Sequence, residues 1–170
     1  MKVMLSIALI LALVGGSSCN QATSAGRLDP HPEALKTLVQ RFHDEAWNRG
    51  EMAVIEELFS PQYTRHDPGT GTTTADHDDQ RRSAGSQRTM FPDLRLHVDF
   101  MIAEGDRVAA RWTIEGTNTG PRGKSPATGK AVKFSGINIF RFQNGKVVEL
   151  WNHRDDLSVT RQLSATPTER

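Results

Sequence analysis

The sequence predicts an α+β fold in which N-terminal helices cover one face of an antiparallel sheet. Three observations carry this. Apolar residues recur at helical spacing between Pro32 and Phe59, alternate with polar residues at a period of two from Leu94 onward, and flank an Asn144-Gly145 pair with the chemistry of a hairpin turn. Helices first and an antiparallel sheet afterwards is the order of an α+β domain.

The chain opens with Lys2, an apolar run from Val3 to Val14 broken only by Ser6, and the small residues Gly15 to Ser18. That is the layout of a secretory signal peptide, and the run is too short for a mature membrane anchor. Cys19 follows directly. The segment resembles a bacterial lipoprotein signal in which Cys19 becomes the lipidated N-terminus, although Gly16 stands where that motif usually has leucine. Ordinary secretory cleavage with an incidental cysteine is the alternative. The expected organisation is a signal over 1–18, a polar tether over 19–30, one domain over 31–164 and a disordered tail over 165–170. The product is expected to be exported and held at a membrane only through a lipid on Cys19. A single cysteine permits no internal disulfide, so the fold rests on its core.

Pro32 and Glu33 begin a helix whose Leu35, Leu38, Val39, Phe42 and Ala46 form one apolar stripe, with Gly50 as its stop. A second helix, Glu51 to Phe59, places Val54, Ile55, Leu58 and Phe59 on one side and ends at Ser60-Pro61. Gly and Thr dominate from Gly69 to Thr74. The stretch Ala75 to Thr89 is charged with almost nothing apolar to bury, and reads as a weak helix or a loop.

Leu94, Leu96, Val98, Phe100 and Ile102 then alternate with polar partners, Glu104-Gly105-Asp106 turns the chain, and Val108, Ala110, Trp112 and Ile114 continue the pattern. After the Gly/Pro-rich connection from Thr119 to Gly129, strands Val132 to Phe142 and Val147 to Asp155 complete a four-stranded meander. The chain carries 21 basic and 20 acidic residues, and without its first eighteen residues, charged only at Lys2, it is neutral. This argues against nucleic acid as a partner.

Alternation places Val147, Glu149, Trp151, His153 and Asp155 on one face of the last strand, about 7 Å between successive members. If the helices cover that face, Asp155 is desolvated near Trp151 and suits a general base. The alternative is a solvated face, or a simple His153–Asp155 pair. Tyr63, His66 and Asp67 end the helical portion, where a short strand enters a cavity or Asp67-Pro68 merely caps a turn. No His-Glu-x-x-His or Cys-x-x-Cys spacing, phosphate loop or Gly-x-Ser-x-Gly elbow occurs, so neither metal nor cofactor is expected.

The runs AWNRGEMAVIEELFSPQYTRHDP, MFPDLRLHVDFMIAEGDRVAARWTIEGTNTG and TGKAVKFSGINIFRFQNGKVVELWNHRDDL resemble the SnoaL-like polyketide cyclases, or ester cyclases. The resemblance implies a nuclear transport factor 2-like fold, a cone-shaped α+β barrel enclosing an apolar pocket, often dimeric through the outer sheet face. It implies that Asp155, four residues beyond Trp151, is the general acid/base of a cofactor-independent aldol-type closure. His66 and His153 are then candidate catalytic partners, and Trp47, Tyr63, Phe91, Trp112, Asn118, Asn138 and Trp151 candidate substrate-binding residues. The expected partner is a small apolar carbonyl compound. The alternative function is an extracytoplasmic binding module in which the same pocket captures a ligand without turnover.

Overall fold

The computed structural model describes residues 31–164. The expected signal peptide, Cys19 lipidation, tether and tail lie outside the described residues. Helix α1 (Pro32–Phe42) has proline in its first turn and the buried stripe Leu35, Val39 and Phe42, which is the N-terminal chemistry a helix tolerates best. It continues as a π-helical segment, His43–Arg49, ending at left-handed Gly50. Helix α2 (Ala53–Leu58) is shorter than expected, because Phe59 already belongs to strand β1 (Phe59–Asp67).

Strand β1 pairs with β2 (Gly71–Asp76), and helix α3 (His77–Met90) follows. The stretch Gly69 to Thr74, dominated by Gly and Thr, is thus largely a strand: Thr72, Thr73 and Thr74 are β-branched and fit a pleated edge. The weakly apolar stretch after it is a full helix of 14 residues. Asp76 accepts from the Asp79 backbone N–H at 2.9 Å and Asp79 accepts from that of Asp76 at 3.0 Å, a capping box that supplies locally what apolar burial does not.

Strands β3 (Arg95–Glu104), β4 (Arg107–Thr117), β5 (Ala131–Gln143) and β6 (Lys146–Arg154) form the expected meander. The β5–β6 turn has positive φ at both Asn144 (53°) and Gly145 (75°), as a two-residue hairpin requires. Helix α4 (Asp156–Ser164), which the sequence reading did not separate from the last strand, is the last element of the described residues and buries Val159. The sheet has six strands in the order β2-β1-β6-β5-β4-β3, curved and unclosed. All pairs are antiparallel except β1 with β6. The fold is therefore the expected α+β cone, with two further strands and one parallel junction.

Two bulges correct the expected faces. In β3, Val98 and Phe100 lie opposite the consecutive residues Trp112 and Arg111, so Asp99 is an extra residue. Phe100 and Ile102 consequently point outward, 56% and 63% exposed, while Leu96 stays inside. In β6, Val147 and Glu149 lie opposite Phe142 and Arg141, so Val148 is extra. Val147 and Leu150 are both buried, and Glu149, Trp151 and His153 turn to the outer surface. An added residue reverses which side each later side chain takes.

Candidate functional site

Between the sheet and the α1–π–α3 wall lies a cavity. Phe42, Trp47, Leu96, Trp112, Phe140 and Leu150 form its apolar surface; Arg65, Gln80, Ser83, Asn138, Asn152 and Arg154 supply the polar atoms. Its free volume is about 20 Å³, room for about one water. Inward positions of β1, β4, β5 and β6 aim these groups together, and the bulge at Val148 is what brings Asn152 and Arg154 to the inner side.

The polar groups form a chain. Trp112 Nε1 donates to Asn138 Oδ1 at 2.6 Å, Asn138 Nδ2 to Asn152 Oδ1 at 2.9 Å, and Asn152 Nδ2 to Asp67 Oδ2 at 3.0 Å. Asp67 also accepts the Gly69 backbone N–H at 3.0 Å and lies 3.4 Å from Arg65 Nη2. Burial pushes the Asp67 carboxyl up, but the hydrogen bonds from Asn152 and Gly69 and the Arg65 guanidinium outweigh it and hold it below the usual carboxylate range. Tyr63 donates to Gln80 Oε1 at 3.0 Å, and burial pushes its phenol up to about 12. On the helical side, Trp47 Nε1 is buried without a hydrogen-bond partner. So are both ring nitrogens of His43, which packs against Phe42 and Phe140 with centroids 5.3 and 5.9 Å away.

Of the residues expected to form a site, Trp47, Trp112 and Asn138 meet in this cavity, with Tyr63 behind Gln80. The others lie elsewhere. His66 and Trp151 stack on the outer sheet face, centroids 4.8 Å apart, and His66 bridges Thr72 Oγ1 at 2.9 Å and Glu149 Oε1 at 2.7 Å. Burial pushes the Glu149 carboxyl up, while hydrogen bonds from Arg141 and His66 bring it below its ordinary value. His153 is exposed on the same outer face. Phe91 belongs to a second apolar cluster with Leu94 and Phe134.

Asn118 is buried, but its amide is committed to the Thr119–Gly129 connection. Oδ1 accepts the backbone N–H and hydroxyl of Thr128, both at 2.9 Å, and Nδ2 donates to the carbonyl of Gly120 at 2.8 Å. Asp155 is exposed, and its carboxylate accepts the Ser158 backbone N–H at 2.9 Å at the start of α4. The expectation of a desolvated Asp155 beside Trp151 does not hold, because the Val148 bulge and the strand end put both outside the cavity.

Arg65, Gln80, Ser83, Asn152 and Arg154 were not singled out from sequence. Hairpin register was the available signal for Asn152: it is cross-strand from Asn138, and a turn at Asn144-Gly145 with one bulge places it there. Arg65 and Asp67 follow from Tyr63 by alternation once β1 is taken as a strand. Among the described residues no group of three or more His, Cys, Asp or Glu is gathered to hold a metal ion.

The comparisons with known proteins agree with the fold. The family described as SnoaL-like polyketide cyclase matches residues 37–163. The chain belongs to that family. Among solved structures it is similar to a candidate polyketide cyclase from Acidithiobacillus ferrooxidans, with 28% identity, 76% of this chain and 93% of that one covered, and a TM-score of 0.69. It is similar to AclR, a candidate hydroxylase from Streptomyces galilaeus, with 28% identity, coverage of 82% and 87%, and a TM-score of 0.71. A third is IdmH, a candidate polyketide cyclase from Streptomyces antibioticus, with 26% identity, coverage of 77% and 99%, and a TM-score of 0.68. No curated protein matches the chain.

Proposed function

We propose that this protein captures a small molecule in the cavity, with the apolar body of the ligand against Trp47, Trp112 and Phe140. The observation that supports this reading is the lining itself: six apolar walls, a hydrogen-bonded amide chain, and no carboxylate among the lining residues. A ligand needs more than 20 Å³, so the cavity opens on binding. The α3 wall is the part suited to give way. Its buried residues are Gln80, Ala84 and Gln87, so moving it exposes little apolar surface.

Acid/base catalysis with Asp155 as base is the second reading, favoured by membership of a family described as polyketide cyclases. It requires the Asp155 carboxylate to leave the Ser158 N–H and approach the cavity. Asp155→Asn discriminates between the two. With ligands followed by tryptophan fluorescence, the capture reading expects affinity within about twofold of the parent protein, since a surface cap contributes about 1 kcal/mol to stability and nothing to the cavity. A loss of both turnover and affinity for a carbonyl ligand would instead support the catalytic role.

The outer face, with Phe100, Ile102 and Ile137 exposed, is the surface on which two copies would pair in this reading. Ile137→Asp places a charge in its middle. Sedimentation velocity is expected to show a dimer converting to monomer on that substitution; a parent protein that sediments as a monomer would sink the pairing.

A further inference from the structure

The hydrogen-bonding atoms around the cavity divide unevenly. Its amide acceptors are engaged, Asn138 Oδ1 by Trp112, Asn152 Oδ1 by Asn138, and Gln80 Oε1 by Tyr63, and the Ser83 hydroxyl both donates and accepts. Its donors are in surplus. Trp47 Nε1 has no partner, and Arg65 and Arg154 bring two guanidiniums with five N–H donors each. Carboxylates outside the lining occupy part of each guanidinium. Asp67 Oδ2 is 3.4 Å from Arg65 Nη2, and Asp156 Oδ1 takes Arg154 Nε and Nη2 at 2.8 and 2.7 Å. A hydrocarbon ligand would bring nothing to accept from the remaining donors, and a neutral carbonyl compound would bring a single oxygen. An acceptor-rich anion would satisfy them, and the planar guanidinium matches a carboxylate in particular.

We infer that the ligand of this cavity is a small organic carboxylate, its flat apolar body against the tryptophans, its carboxylate held by Arg65 and Arg154, and a further oxygen accepting from Trp47. This rests on the capture reading above and adds the charge of the ligand to it. The assignment also departs from the expectation of a purely apolar carbonyl compound.

The test uses the full chain and two matched pairs of probes: benzoate against benzamide, and phenylacetate against phenylacetamide. Binding at pH 7.5 is followed by tryptophan fluorescence and checked by calorimetry. Each carboxylate is expected to bind at least about tenfold more tightly than its amide, and Arg65→Met or Arg154→Met to remove most of that preference. Arg107→Met, remote from the cavity, should keep it. Arg65→Lys and Arg154→Lys retain the charge and serve if a methionine variant does not fold; a partial preference is expected of them. Amides that bind as tightly as the acids would overturn the carboxylate assignment and leave capture standing. A preference that survives every substitution at Arg65 and Arg154 would overturn it too. Failure of all four probes to bind would overturn both readings.

Discussion

Replacing His43 with leucine is expected to flatten the acid side of the stability profile by about 3 kcal/mol. The His43 imidazole is fully buried between Phe42 and Phe140, and desolvation lowers its pKa to about 4, outweighing the nearby Val39 carbonyl and Asp44 carboxylate. In the unfolded chain the ring takes its proton near 6.5. Between those two values the unfolded chain binds more protons than the folded one, so stability is full above about 6.5 and is lost as pH falls toward 4. A difference of this size, at 1.36 kcal/mol per pKa unit, is the ~3 kcal/mol at stake. Leucine has no proton to take and also removes two unpartnered buried nitrogens, a change worth on the order of 1 kcal/mol in its favour at neutral pH. Urea denaturation of both proteins from pH 4 to 8 measures this. Parallel stability curves would show that His43 does not control the acid limb.

Gly120→Ala is expected to cost about 3 to 5 kcal/mol, a large part of the stability of any domain of this size. A Cβ at Gly120 would collide with the Thr89 carbonyl oxygen and lie 2.8 Å from the Thr89 carbonyl carbon. Both are backbone, so no side chain can swing aside. Relief requires the Thr119–Gly129 connection to part from the end of α3, which breaks the Gly120 N–H bond to Met90 O at 3.2 Å and strains the Asn118 amide bonds to Gly120 and Met90. The same substitution at Gly85, inside α3, meets nothing within 4 Å, and there alanine should stabilise by about 0.5 to 1 kcal/mol. Thermal unfolding of the pair checks the contrast. A melting temperature for Gly120→Ala within about 2 °C of the parent would mean that the contact relaxes freely.

These sites show what was legible in the sequence. The stripe Leu35, Val39, Phe42 and the turn Asn144-Gly145 act locally, through helical and hairpin geometry, and both stand in the structure as read. Helix α3 was underrated because its support lies in two aspartates at its start and in polar burial of Gln80 and Gln87, and apolar periodicity does not register either. Strand β1 is legible only as a short strand at Tyr63 to Asp67, and β2 not at all, for a related reason: Thr72 to Thr74 form an edge whose outer residues need no apolar alternation. The cavity was half legible. Trp47, Trp112 and Asn138 stand out by residue type, whereas Arg65, Asn152 and Arg154 reach it only through strand pairing across distant segments. Asp155 was placed by its spacing from Trp151, and spacing along one strand carries no information about where a helix begins.

The extra residue at Val148 gives the cavity a dependence on counting. Every side chain from Glu149 to Arg154 takes its side from Val148 being bulged out of the ladder, so the lining could change wholesale with no change of residue type. Running β6 through Val148 as a regular ladder, with no bulge and no residue removed, would exchange Asn152 and Arg154 for Trp151 and His153 at the inner surface, turning a basic, amide-rich lining into an aromatic one, whereas deleting Val148 would close the bulge and leave Asn152 and Arg154 inside. Within this fold, whether a strand carries a bulge is therefore a route from one ligand class to another.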